Sequence, residues 1–330
     1  MRTLLAACLL CPALCPGLSS SAQSLVVVNQ GDATVSLIDA RSGRQTSAIP
    51  EGTGSVHGHE VAVSPDGRTA YLPIYGSSGV GKPGTDGHQM LILDLPSHSI
   101  TGHIDFGHGV RPHLPVLDPV SGMLYVTTEM DNSVTIIDPK TRAIVGAIPT
   151  GQPQSHMLVL SHDGRRGYTA NVGPGTVSIL DIPGRKTLAI VAAAPTVQRI
   201  SISNDDRLVF TSDNTRPRLV VVDTTTAKVK TSIDLPGLGY GTASTPDGKY
   251  LLVAIPAQHA VAVVDLAAMK VTRTIDVPPL PQEVLIAPSG ATAFVSCNTS
   301  GKVAAIDLKN WTVQSLIAAG PGADGLGWAQ

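Results

Sequence analysis

Seven times along the chain a run of branched apolar residues ends on an aspartate: VSLID, LILD, VTIID, VSILD, VVVD, VAVVD and VAAID, closing at Asp39, Asp94, Asp138, Asp181, Asp223, Asp265 and Asp307. Successive aspartates stand 55, 44, 43, 42, 42 and 42 residues apart. Such a fixed period is the mark of a repeat architecture. Within one period, short alternating or continuous β-branched segments are separated by Gly, Pro, Asp and Asn, and no stretch has helical periodicity long enough to compete. In the third unit His113 to Val116 precedes the turn Asp118-Pro119-Val120-Ser121-Gly122, then come Leu124 to Thr127, Val134 to Asp138 and Ala143 to Ile148. Four strands per unit, repeated seven times, predict an all-β fold: a seven-bladed β-propeller of four-stranded antiparallel blades, since such a small sheet buries its faces only against neighbouring blades.

The repeats contain Tyr125-Val126-Thr127-Thr128, Tyr168-Thr169-Ala170-Asn171, Val61-Ala62-Val63-Ser64-Pro65-Asp66-Gly67 and Ser244-Thr245-Pro246-Asp247-Gly248. On these motifs the chain resembles the YVTN β-propeller repeat family, a group of exported propellers of diverse role. The resemblance implies the same fold over residues 23–330. The opening Leu25-Val26-Val27-Val28 matches a second strand and the closing Leu326-Gly327-Trp328 a first strand, so the C-terminal segment is expected to complete the N-terminal blade and remove the open edges.

In such propellers the first strand of each blade lines the central channel. Aligned on the turn that follows, the same position is held by His59, His113, His156, Gln198, Tyr240 and Gln282, and counting back from Leu326 adds Asp324. Closure of the ring brings Asp324 beside His59, so three imidazoles and one acid from four consecutive blades are expected to converge on the axis. That donor set suits Zn²⁺, Cu²⁺ or Fe²⁺, with a position left open for water or substrate. Without metal, Arg111, Arg199 and protonated histidines would favour a small anion, with Gln198, Tyr240, Gln282 and Glu283 also at hand. A third possibility is structural, with each histidine bonding loop carbonyls. Glu60 and Glu129 are the candidate general bases if there is chemistry, and Asn171 and Asp213 are placed near the same rim.

The excess in the first spacing falls between Tyr75 and His88, a glycine-rich stretch that would form a lid, with Lys82 and His88 reaching inward. His57, His103 and His108 are expected on the surface, Cys297 as a buried apolar residue, and the seven aspartates as acceptors for turn amides.

The ends and the charge bound what remains. Arg2, the apolar run Leu4 to Leu18 and Ser19-Ser20-Ser21-Ala22 have the layout of a secretory signal cleaved after Ala22, which places the mature chain in the periplasm or outside the cell. Leu5-Ala6-Ala7-Cys8 resembles a lipoprotein-processing box, although few residues precede its cysteine. Cys8, Cys11 and Cys15 would leave with the leader, so Cys297 alone remains and no internal disulfide is expected. The apolar run is shorter than the roughly 20 residues of a membrane span. With Arg2 removed, 22 Lys and Arg face 25 Asp and Glu, and with aromatics at 3% this argues against a nucleic-acid groove. No nucleophile elbow, Walker loop, dinucleotide fingerprint or haem-attachment motif is present. The function expected is a monomeric binding or accessory protein holding a metal or small anion. A metal-assisted hydrolase or lyase acting on a lactone or ester, and a scaffold that docks protein partners on the propeller face, are the alternatives.

Overall fold

The computed structural model describes residues 23–330; the expected leader, its cleavage site and its three cysteines lie outside the described residues. Seven antiparallel sheets follow one another in the chain. Six have four strands, and in the second the innermost strand is split into His57–Gly58 and Ala62–Val63. We number the blades from the N-terminus.

Closure is as the strand order requires. The final strand, Ala323–Ala329, pairs antiparallel with the first, Ser24–Asn29, setting Leu326 opposite Val27 and Trp328 opposite Leu25. Blade 1 is thus made from both ends of the chain. A separate apolar cluster fills each of the seven blade interfaces, including the one between blades 7 and 1, where Phe294 and Val303 meet Leu25, Ile38 and Leu326. Each interface is closed by the next, so the ring has no unpaired inner face. Among the described residues no helix is long and apolar enough to cross a membrane.

The seven aspartates perform one local job. Each accepts backbone N–H groups of the turn that follows, as Asp39 does from Ser42 (2.7 Å), Asp223 from Thr226 (2.8 Å) and Asp307 from Lys309 (2.7 Å). Cys297 is buried at the end of its strand, and burial pushes its thiol up to about 12, so it packs as an apolar residue.

One irregularity recurs and positions everything that follows. In blades 1, 3, 4, 5 and 7 the innermost strand slips register against its neighbour, leaving an extra residue unmatched. The slips fall at Asp324, at His113, at His156, at Gln198 and Arg199, and at Gln282 and Glu283. A β-bulge bends the strand and re-aims its side chains. Hydroxyls of the second strand take up backbone groups that the bulge frees: Leu114 N–H donates to Thr127 (3.0 Å) and Glu283 N–H to Ser296 (3.0 Å).

Removing Ala323 to Gln330 would leave the first strand as an open edge and open the apolar interface between blades 7 and 1. We expect the shortened chain to lose cooperative thermal unfolding, checked by circular dichroism, whereas Trp328→Phe should melt close to the parent.

Candidate functional site at the channel mouth

The bulges deliver two adjoining clusters. The first is built around Arg199, on the innermost strand of blade 5. Its Nη1 donates to Glu60 of blade 2 and to Glu283 of blade 7 (2.6 Å), and its Nη2 donates to Asp324 of blade 1 (3.3 Å). The guanidinium also lies 4.8 Å from the ring centre of Tyr240 in blade 6. Arg199, Glu60 and Asp324 are buried, whereas the Glu283 side chain is 21% exposed. Because these partners sit on opposite arcs of the ring, the bonds cross the axis. The approach is close: a Cβ on Gly325 would lie 2.7 Å from Glu60 Cα, where Gly325 N–H donates to the carbonyl of His59 (2.9 Å). Any larger residue there would push blades 1 and 2 apart.

Three acids against one guanidinium leave surplus negative charge out of water. Burial, with Glu60 and Asp324 adding to it and Arg199 opposing it, pushes Glu283 up to about 8, and burial pushes Asp324 up to about 7 against Arg199. Burial works against the charge on Arg199, but Glu60 and Glu283 outweigh it and hold its value well above the ordinary one.

The second cluster is aromatic. His59, His113 and His156 come together, with ring centres 5.4 Å apart for His59 and His113 and 3.6 Å for His113 and His156. Tyr75, at the end of the second strand of blade 2, fills the space among them at 4.9, 5.1 and 5.6 Å. Its hydroxyl donates to Glu129 Oε2 (2.5 Å), and burial followed by the Glu129 charge raises its own value. Burial first, then neighbouring histidines and Arg199, holds His59 and His113 well below the usual 6.5, so both are neutral imidazoles at neutral pH. His59 Nε2, His113 Nδ1 and His156 Nδ1 are buried without a hydrogen-bond partner. The last lies 3.5 Å from Glu129 Oε2, longer than a normal N–H···O bond. Burial raises Glu129 while His156 and Tyr75 lower it, and the lowering prevails, leaving a carboxylate.

The expected ring is therefore assembled, but its members divide. Asp324 approaches His59 only to 4.0 Å (Oδ2 to Nδ1) and is engaged by Arg199 and by Gln30. Among the described residues no group of three or more His, Cys, Asp and Glu side chains is arranged to hold a metal ion. Arg111 and Arg199, named as anion ligands, are both committed to carboxylates: Arg111 Nε donates to Asp86 (2.5 Å), and its Nη1 lies 3.8 Å from Glu129. Gln198 Nε2 donates to the Tyr240 hydroxyl (3.3 Å), and the Gln282 carbonyl accepts from Gly241 N–H (3.0 Å). Glu60 and Glu129 are held by Arg199 and Tyr75 respectively, so neither is a free base. Asn171 and Asp213 serve their own blades, bonded to Ser155 (2.7 Å) and Arg218 (2.8 Å).

Three expectations are corrected. His57 is not a surface residue: it is half-buried and stacks on His59 at 5.1 Å, extending the imidazole group to four. His88 turns to Asp105 (3.2 Å) and is exposed, and Lys82 is exposed too, so the inserted loop does not reach inward with side chains. It reaches with backbone: Gly81 N–H donates to Glu129 (3.3 Å), and the carbonyl of Lys82 accepts from Arg111 (2.8 Å). Tyr75 escaped attention because it stands on a second strand, outside the aligned position; its only sequence signal was its place at the edge of the insertion. His103 and His108 are exposed, as expected.

Fold and site together define a seven-bladed propeller with a buried imidazole group at one end of its channel. The cytochrome D1 heme domain family matches residues 120–320, more than half of the chain, and the chain belongs to that family. It is similar to Antigen Lp49 of Leptospira interrogans serogroup Icterohaemorrhagiae serovar copenhageni (strain Fiocruz L1-130), with 26% identity over 171 residues, 49% of this chain and 37% of that protein. The match thus spans little more than a third of that relative's length. Among solved structures it is similar to Kuenenia stuttgartiensis hydrazine synthase, with TM-score 0.74, 18% identity and coverage of 86% of this chain and 92% of that one. It is also similar to the dihydro-heme d1 dehydrogenase NirN in complex with DHE, with TM-score 0.66, 14% identity and coverage of 92% and 74%. At these identities the two structures establish the shared fold.

Arg199→Ala would leave the buried Glu60 and Asp324 and the half-buried Glu283 without their cation and is expected to cost about 3–5 kcal/mol in denaturant unfolding. A pH series reads the same cluster. Acids whose folded values lie above their ordinary 3.8 and 4.5 keep protons that the unfolded chain releases. Their contribution is complete below those ordinary values and fades as pH climbs through about 7 and 8. Thermal stability should therefore fall over that window, and less steeply in Glu283→Gln.

Proposed function

We propose that this chain is an exported propeller for an iron tetrapyrrole at the channel mouth, which a buried neutral imidazole would hold. The observation that carries this is the trio of histidines with unbonded ring nitrogens, set in a chain of the cytochrome D1 heme domain family. A bare ion needs three or four protein donors, and the four residues first considered are neighbours rather than a cage. A tetrapyrrole supplies four nitrogens of its own and asks the protein for one or two, which is what neutral imidazoles provide. The donor set therefore fits that group.

His59, with 15% of its side chain exposed, is the most accessible of the three and the residue that would hold the iron, whereas His113 and His156 are buried. When bound, the iron centre would supply redox or small-ligand chemistry. The mouth offers an anion no free cation, because Arg111 is already met by Asp86 and Glu129, and Arg199 by Glu60, Glu283 and Asp324. Hydrolysis of a lactone or ester draws no support from Glu60, which is paired with the Arg199 guanidinium, or from Glu129, both of whose oxygens accept hydrogen bonds. Residues 1–22 are read as the export signal, and the YVTN-like repeats as the repeat pattern of this propeller rather than a pointer to its ligand.

The test is an absorbance titration of the purified chain with ferric protoporphyrin IX. Saturable binding with a histidine-ligated Soret spectrum is expected, weakened about tenfold or more in His59→Ala. A spectrum no different from that of free porphyrin, or equal binding by a variant lacking His59, His113 and His156, would overturn the reading.

A further inference from the structure

We propose that residues 77–85 form a gate over the imidazole group, latched by Arg111 and Glu129, that must open for a ligand to enter. The gate matters only if something binds there, and in that sense it rests on the function proposed above.

The loop is an insertion between the second and third strands of blade 2, and its neck is fixed. Gly76 pairs with Asp86 at the end of the hairpin, and Ser77 N–H donates to the carbonyl of Thr85 (3.1 Å). Beyond the neck every residue from Ser77 to Thr85 is exposed or half-buried, and none joins an apolar cluster. What secures the loop to the body is polar and concentrated in two side chains. Arg111 donates to the carbonyls of Lys82 (2.8 Å) and Gly79 (3.4 Å) and to the hydroxyl of Ser78 (3.4 Å), while Glu129 Oε1 accepts Gly81 N–H (3.3 Å). A segment without buried apolar surface, tied down by a few hydrogen bonds, opens at small cost relative to unfolding the blade.

The latch residues are themselves rigid and belong to the site. Both are buried, and the second oxygen of Glu129 takes the Tyr75 hydroxyl that stands among the imidazole rings. Glu129 thus joins the loop to the histidines through a single side chain. Tyr75, His113 and His156 are nearly inaccessible, although they stand at the mouth of a channel. A depression of about 520 Å³ beside the loop, bordered by Lys82, Arg111, Glu129 and Gln154, gives it space to move. Glycines at 79, 81 and 84 give the backbone freedom, and Gly81 already takes φ +66°.

Carbethoxylation of histidines in the full chain, read residue by residue by peptide mass spectrometry at pH 7, tests this without any ligand. The exposed His98 and His103 serve as internal references. In the parent, His113 and His156 should react at about a tenth of the reference rate or slower, because only the open fraction is reactive. Replacing residues 77–85 by Asn-Gly should bring them within about threefold of the references, with Glu129→Gln intermediate. Amide exchange of the Leu124–Thr128 strand checks that each variant keeps its fold, and if the shortened chain does not, Glu129→Gln decides alone. Parent-like rates in a folded variant would overturn the gate. Since the reagent needs only the imidazole, failure of porphyrin binding would leave this result standing, and failure here would not touch the porphyrin titration.

Discussion

A single guanidinium, buried on the axis of the disc, ties blade 5 to blades 1, 2 and 7. The chain has no internal disulfide among the described residues, and its apolar clusters join each blade only to its neighbours along the ring. Packing between adjacent wedges is additive and local, so it does not by itself specify where distant wedges end up relative to one another. The bonds from Arg199 to Glu60, Glu283 and Asp324 act across the ring and fix that distance. Buried ion clusters are costly compared with apolar packing, and their use is better seen as specificity than as net stability. Here the specificity is geometric, holding the bulged innermost strands at a spacing that lets side chains from separate blades meet.

That spacing also explains why the imidazoles are unusual. A histidine on a loop would bond water or a carbonyl. Packed against Tyr75 and against each other, with Arg199 nearby, His59 and His113 lose the option of protonation, and one buried ring nitrogen of each has no partner in the protein. Unpaired buried nitrogens are expensive, and a fold that keeps several in one place is arranged for something that pairs them.

Much of this could be read from the chain. The 42-residue period required seven wedges, the mismatch between chain ends and strand order required their closure from both termini, and alignment on the turn found the ring positions His59, His113, His156 and Asp324. The remainder lay outside any spacing rule. Arg199 looked like a cation awaiting an anion, because nothing in a linear repeat says that acids from three other blades will reach it first. Tyr75 occupies a second-strand position that never lines the axis in the aligned scheme, and a register slip in blade 2 leaves it unmatched there. The inserted loop drew attention to Lys82 and His88, whereas its backbone amide and carbonyls carry the contacts, and these are the same in every sequence.

The site depends on the imidazoles being collected and buried, with His59 and His113 neutral. Nitrogen-15 spectra of histidine-labelled protein, followed through a pH series, observe this directly. The resonances of His59 and His113 should keep the pattern of neutral rings well below pH 6.5, the value at which an ordinary imidazole titrates. Ordinary titration of His59 and His113 near that value would mean that the rings are solvated and apart, and the channel mouth would not be the site described.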